Sequence, residues 1–261
     1  MLDFAELNGT ALRYAVDGRG PETLVLIHEL AGSLNSWDGL VALLPAHIRT
    51  VRYDLRGAGL SEKVNGSLDL DTLAADIAAL LAALAIDGPV TVAGAAIGAA
   101  IATRFAARYP ARCKALVLIA PALGIPPERK AGAGELADRI DCEGLRAVAE
   151  AVLPKAFPED LWANADEKRR AIARWLGADP QGYAAAYRML INADLTGDLA
   201  GIAAPALVLA GRYDPFGTPD IVDARTGAMQ RRDFRVLDGG HFLAVQSPAV
   251  LAAALVPFLA A

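Results

Sequence analysis

The chain has 261 residues, of which 54% are hydrophobic, and a formal net charge of −5 at pH 7. This length suits one α/β domain with an inserted subdomain. The acidic balance argues against nucleic acid or an anionic membrane as a partner, and apolar runs such as residues 251–261 are too short to cross a bilayer. The two cysteines, Cys113 and Cys142, lack metal-ligand spacing and predict no disulfide framework.

The first half of the chain predicts strands that alternate with helices. Two short strands joined at Asn8-Gly9 are typical of a hairpin. The remaining predicted elements are strands at 24–27, 50–53, 89–93 and 115–120, and helices at 37–44, 71–84 (N-cap at Asp69 or Asp71) and 99–108. Because continuous apolar strands are buried on both faces, this alternation predicts a mostly parallel sheet flanked by helices.

After Pro121 the pattern changes. Residues 123–194 contain no convincing strand, and the strand pattern resumes at 205–211 and 233–237, before a last helix that begins near Pro248. The intervening helical segments are predicted at 134–139, 143–152, 158–176 and 180–192. We therefore expect an α/β core formed by residues 1–122 and 195–261, interrupted by an inserted helical cap over 123–194 (the cap segment).

The segment Gly94-Ala95-Ala96-Ile97-Gly98 lies between a predicted strand and a predicted helix. Two glycines four residues apart, in a strand–turn–helix context, are typical of the nucleophile elbow, Gly-x-Ser-x-Gly. Glycine suits both positions because a Cβ there would press on the tightly folded backbone. The central position, where a nucleophile is expected, is Ala96.

Two further candidate residues follow the ends of later strands. Asp214 comes after the strand at 205–211, and His241 comes after the last strand. Elbow, then acid, then histidine is the chain order of the α/β-hydrolase triad. We predict that His241 is the general base and that Asp214 orients it, with the backbone N–H groups of Leu30 and Ile97 as the oxyanion hole.

These motifs resemble the α/β-hydrolase superfamily along the whole chain. The segment 54–61, Asp-Leu-Arg-Gly-Ala-Gly-Leu-Ser, matches the structural DxRGxGxS turn of that superfamily. Segments 34–38, 178–186 and 192–195 resemble 3-oxoadipate enol-lactonases more narrowly. The resemblance implies the α/β-hydrolase fold, hydrolysis of an ester or lactone, and an enol-lactone derived from a dicarboxylate as substrate.

Ala96, at the position of the family's serine, leaves three interpretations open. In one, serine has been replaced by alanine, so that an ordinary hydrolase traps its substrate. In another, alanine is natural and the Asp214–His241 dyad activates water directly, or serves a proton transfer of the lyase or decarboxylase type. In the third, the protein is a pseudoenzyme that holds a small ligand.

The remaining predictions concern the pocket. Glu29, beside the oxyanion loop, is either a solvated or capping carboxylate or an acid–base group, and we place it with the substrate-binding residues. Trp162, Tyr183 and Tyr187 are the predicted cap-segment residues of the pocket. We expect a small-molecule substrate, no metal or organic cofactor, a monomer or homo-oligomer, and a cytoplasmic location, since no leader-like start precedes the first strand.

Overall fold

Eight strands are present in the computed structural model, which describes residues 1–260. In chain order they are β1 (Leu2–Leu7), β2 (Thr10–Asp17), β3 (Glu22–Ile27), β4 (Ile48–Tyr53), β5 (Val90–Ala95), β6 (Cys113–Ile119), β7 (Ala206–Gly211) and β8 (Arg232–Leu237). They form one sheet in the order β1-β2-β4-β3-β5-β6-β7-β8. The β1/β2 and β2/β4 pairs are antiparallel and all other pairs are parallel, so the predicted mostly parallel sheet is confirmed.

The helices lie between these strands and after the last one. In chain order they are α1 (Asp38–Val41), α2 (Leu70–Ala83), α3 (Ile97–Arg108), α4 (Lys130–Glu143), α5 (Ala149–Ala156), α6 (Ala165–Leu176), α7 (Pro180–Asn192), α8 (Thr196–Gly201), α9 (Pro219–Thr226), α10 (Leu243–Gln246) and α11 (Pro248–Leu259). None of the helices within residues 1–260 is long and apolar enough to cross a membrane.

The two faces of the sheet bury alternate residues of the central strands. Val25 and Ile27 of β3 pack in one layer with α2 and α3, whereas Leu24 and Leu26 pack in the other layer with α1, α10 and α11. Side chains alternate between faces along a strand, so a strand covered on both sides needs an uninterrupted apolar run. Burying one such leucine contributes about 1.5–3 kcal/mol relative to leaving it exposed.

Local chemistry explains where several elements begin. Asn8 and Gly9 both have positive φ, 50° and 71°, as a two-residue hairpin turn between β1 and β2 requires. Of the two predicted N-caps of α2, Asp69 is the one used: its carboxylate accepts a hydrogen bond from the Thr72 N–H at 2.8 Å.

Several predicted boundaries are wrong. The segment expected at 143–152 is divided, because Gly144, at φ 77°, ends α4. A 3-10 turn at Leu145–Val148 then leads into α5. The segment expected at 158–176 contains a 3-10 turn, Glu159–Leu161, and then α6, which begins after the N-cap Asn164.

Shorter elements also differ from the predictions. The helix expected at 37–44 is a 3-10 turn, Leu34–Trp37, followed by the four-residue α1. The strand expected at 115–120 begins two residues earlier, since Cys113 is the first residue of β6. Helices α8, α9 and α10 were not predicted, because four to eight residues are too few to display helical periodicity.

Candidate active site

The turn from β5 to α3 holds Ala96 in a strained conformation. Its φ of 49° and ψ of −113° are unusual for a residue with a side chain. The flanking glycines permit the turn: a Cβ on Gly94 would lie 2.1 Å from the Gly98 carbonyl oxygen, and one on Gly98 would lie 2.3 Å from that of Ile27. The backbone therefore has the sharp strand-to-helix turn expected of an elbow, with a methyl group at its apex.

Asp214 and His241 are hydrogen-bonded to each other. The Nδ1 atom of His241 lies 2.8 Å from Oδ2 of Asp214. Asp214 is fully buried, and its other oxygen accepts hydrogen bonds from the N–H groups of Phe216 and Gly217 at 2.8 and 3.2 Å. With both carboxylate oxygens engaged, Asp214 holds Nδ1 as a proton donor and leaves Nε2 of His241 as the basic nitrogen.

Two backbone N–H groups near Ala96 make no hydrogen bond within residues 1–260. Ile97 is the first residue of α3, so its N–H lies outside the helical hydrogen-bond ladder. The N–H of Leu30, in the loop after β3, likewise has no acceptor. Both residues line the same cavity as Ala96 and His241, where an unpaired N–H can bind an anionic oxygen.

The loop after β3 is held in place by His28 and Asp54. The buried His28 ring donates from Nδ1 to the Glu29 carbonyl oxygen at 2.7 Å and accepts at Nε2 from the Leu55 N–H at 3.0 Å. Asp54 accepts from the N–H groups of Leu34 and Leu60 at 2.6 and 2.7 Å. Both ring nitrogens of His28 are thus occupied, and its role is to position the loop that carries Leu30.

A cavity of about 190 Å³ lies above the elbow. It is enclosed by the loops after β3, β5, β6, β7 and β8 and by the cap segment, and its walls are mainly apolar. The cavity brings together seven of the predicted site residues: Glu29, Leu30, Ala96, Ile97, Tyr183, Tyr187 and His241. Asp214 lies directly behind His241.

Trp162 does not line this cavity, so its predicted role as a substrate-binding residue is not supported by the structure. Its ring stacks on Phe157, with ring centroids 5.6 Å apart, in the small core of the cap segment. Trp175, 13 positions further along the chain on α6, lines the cavity instead. The choice between these tryptophans depends on how α6 packs, which no local pattern reveals.

The cavity also contains residues that the sequence analysis did not identify. Phe216 and Phe242 flank the His241 ring, with centroid distances of 5.0 and 5.2 Å. Arg129 and Arg225 lie in the wall, and neither forms an ion pair with a carboxylate of residues 1–260. The Nη1 of Arg225 donates to the Gly124 carbonyl oxygen at 2.8 Å. No sequence motif identifies these two arginines as cavity residues. Arg129 lies in the segment that follows β6, and Arg225 lies in the short helix α9.

The cavity wall keeps both of its tyrosines neutral. Burial raises the pKa of Tyr183 far above its usual value. Burial also raises the pKa of Tyr187, and the nearby positive charge of Arg129 partly offsets that rise. Both phenols therefore remain hydrogen-bond donors over the whole neutral range.

A larger open groove, of about 570 Å³, lies elsewhere, between α7 and the segment 65–71. Neither the elbow nor Asp214 nor His241 contributes to it. Four of its five charged residues are in ion pairs, as Arg188 is with Asp138 and Asp141. Its size alone does not make it the active site, because the groups capable of proton transfer lie around the smaller cavity.

Comparison with known proteins gives concordant results. The family model described as alpha/beta hydrolase fold matches residues 22–141. The chain is 27% identical to 3-oxoadipate enol-lactonase 1 of Acinetobacter baylyi over 238 residues, which are 90% of this chain and 88% of that protein.

Two solved structures resemble the chain over nearly its full length. The enol-lactonase from Burkholderia xenovorans LB400 superimposes with a TM-score of 0.87 at 30% identity, covering 99% of this chain and 100% of that one. A thermophilic esterase from Thermogutta terrifontis, solved with malate bound, superimposes with a TM-score of 0.91 at 26% identity, covering 100% and 98%.

Proposed function

Because this chain belongs to the α/β-hydrolase family, we propose that it hydrolyses a small ester, enol-lactone or related carbonyl compound by means of water that His241 activates. One observation carries the proposal. The hydrogen-bonded Asp214–His241 pair and the two free N–H groups of Leu30 and Ile97 face one cavity above the elbow. That arrangement supplies a base and an anion site without needing a side-chain nucleophile.

In the first step, a water molecule above the Ala96 methyl group loses a proton to Nε2 of His241 and attacks the substrate carbonyl carbon. Asp214 stabilises the imidazolium that forms. The carbonyl oxygen becomes an oxyanion, which accepts hydrogen bonds from the N–H groups of Leu30 and Ile97. The imidazolium then returns its proton to the departing oxygen as the ester or lactone bond breaks, and the free base is restored.

The two arginines favour a substrate that carries a carboxylate. Arg129 and Arg225 are positively charged wall residues without acidic partners within residues 1–260. A guanidinium binds a carboxylate with two parallel hydrogen bonds. The likeness to an enol-lactonase and to an esterase solved with malate bound supports the same substrate class.

The natural-alanine interpretation and the substrate-trap interpretation differ in one measurable respect. A protein that uses water directly turns over as it stands, whereas a trap only binds. We expect the protein to hydrolyse 4-nitrophenyl acetate or an enol-lactone faster than the His241→Ala variant. Equal rates for the two proteins would rule out the dyad mechanism, and binding without turnover would favour the trap or the pseudoenzyme.

A matched pair of substrates tests whether the two arginines bind a carboxylate of the substrate. We expect an enol-lactone with a free carboxylate to react with a lower KM than its methyl ester, and the Arg129→Gln/Arg225→Gln variant to lose this preference. Arg146→Gln, which removes an exposed arginine of the cap segment outside the cavity, is the control. An unchanged preference in the double variant would show that the arginines do not bind the carboxylate.

A further inference from the structure

Glu29 is a buried carboxylate with only one of its oxygens hydrogen-bonded. The residue is 5% exposed. Oε1 accepts a hydrogen bond from the Ser36 hydroxyl at 2.7 Å, whereas Oε2 is buried and has no donor within residues 1–260. Leaving a buried carboxylate oxygen without a donor is costly. The arrangement therefore suits a site in which a ligand supplies the donor.

The carboxyl group is fixed against the backbone of its own loop. A Cβ on Gly32 would lie 2.6 Å from Oε1 and 2.7 Å from the carboxyl carbon of Glu29, so a side chain at position 32 would displace the carboxyl group. The Ser36 hydroxyl in turn accepts from the Ser33 N–H at 3.3 Å. These contacts hold the Glu29 side chain in one orientation, as a recognition group requires.

A side chamber of about 30 Å³ adjoins the main cavity at this point. Glu29, Ser33, Ser36, Arg174 and Phe242 are among its lining residues, and it shares Glu29 and Phe242 with the cavity that contains Ala96 and His241. A space of this size holds about two water molecules. The chamber therefore accommodates a small polar group such as a hydroxyl or amino group.

We propose that Glu29 is a specificity-determining residue, whose Oε2 accepts a hydrogen bond from a small N–H or O–H substituent of the substrate. The inference rests on the proposed function, in that the same carbonyl compound occupies the main cavity. The proposal also assigns different binding places to two substituents of the substrate. Arg129 and Arg225 line the main cavity but not the chamber, so the donor group and a substrate carboxylate bind at different walls.

Matched esters test the proposal in turnover. Phenyl 3-hydroxybutyrate has a hydroxyl donor, and phenyl 3-methoxybutyrate lacks it. We expect kcat/KM to favour the hydroxy ester by about 10-fold or more, the worth of one hydrogen bond to a charged group. Glu29→Gln, whose amide oxygen still accepts from Ser36, should lose this preference, because an N–H₂ then replaces the acceptor. Glu150→Gln, an exposed glutamate of α5 outside both cavities, should retain it.

An equilibrium measurement keeps this inference separate from the hydrolase proposal. We expect 2-pyrrolidinone, which has one N–H, to bind about 10-fold more tightly than N-methyl-2-pyrrolidinone by saturation-transfer NMR, and this ratio to disappear in Glu29→Gln. A protein that shows the ratio but hydrolyses nothing would contradict the proposed hydrolysis alone. Equal binding of the two lactams to the unaltered protein, or a ratio that survives in Glu29→Gln, would overturn the role of Glu29.

Discussion

The Nδ1 atom of His241 lies 2.8 Å from Oδ2 of Asp214, although 27 residues separate the two in the chain. Neighbouring parallel strands bring them together. Asp214 follows β7 and His241 follows β8, and these strands run side by side with Gly211 opposite Leu237. The loops that leave the two strands therefore begin at the same edge of the sheet.

Replacing Asp214 with asparagine tests this pair. The amide can hold the imidazole in the wrong tautomer and cannot stabilise the imidazolium, so we expect kcat to fall by about 10³- to 10⁴-fold with little change in KM. Steady-state kinetics of ester hydrolysis measure both constants. Asp238→Asn is the matched control, since Asp238 is an exposed carboxylate near the same sheet edge, paired with Arg212. Similar losses in both variants would contradict a specific role for Asp214.

Replacing Ala96 with serine tests whether the elbow still has the geometry of a nucleophile site. The strained backbone at φ 49° already exists, and His241, the proposed base, lines the same cavity. We expect Ala96→Ser to release a burst of one 4-nitrophenol per site from 4-nitrophenyl acetate and to gain the mass of one acetyl group. The unaltered protein should show steady release without a burst. If the serine variant forms no acyl-enzyme, the elbow is not aligned with His241.

The tight approach of Gly98 to β3 predicts a large effect on stability. In Gly98→Ala, the new Cβ would lie 2.3 Å from the Ile27 carbonyl oxygen. The backbone must shift to relieve this overlap, so we expect the free energy of unfolding to fall by about 3 kcal/mol or more. In Gly134→Ala, the new Cβ in α4 would meet no atom within 4 Å. We expect this variant to raise the free energy of unfolding by about 0.5–1 kcal/mol. Urea unfolding of both variants checks the contrast.

The two cysteines should differ in reactivity. Burial raises the pKa of Cys113 to about 12, whereas Cys142 is exposed. The thiolate is the reactive form, and a raised pKa means that almost no thiolate of Cys113 exists at pH 8. We expect 5,5′-dithiobis(2-nitrobenzoic acid) to label one thiol per native chain and two after unfolding. Rapid labelling of both thiols in the native protein would show that β6 opens readily.

Much of the site was predictable because its signals are local. The glycines on either side of Ala96 indicate a sharp turn, because only a residue without a Cβ fits at those positions. Asp214 and His241 follow apolar runs that mark buried parallel strands, and such strands end at a common edge. The order of the elbow, the acid and the histidine along the chain then indicates the fold family.

Other features were decided by tertiary packing. Which tryptophan of the cap segment faces the cavity depends on the rotation of α6, and Trp175 rather than Trp162 lies there. The unpaired arginines, Arg129 and Arg225, line one cavity although they lie far apart in the chain. Glu29 is confined by Gly32 and Ser36 of its own loop, yet the chamber beside it is also lined by Phe157 and Trp175 of the cap segment.

The sequence by itself determined the α/β-hydrolase fold, the elbow with alanine at its apex, and the acid–histidine pair, because turn stereochemistry and strand burial leave a signal within a few residues. Only the tertiary structure decided which side chains surround the cavity and which charges lack partners. Those properties arise from contacts between segments far apart in the chain, and their energies depend on burial that no short segment possesses alone.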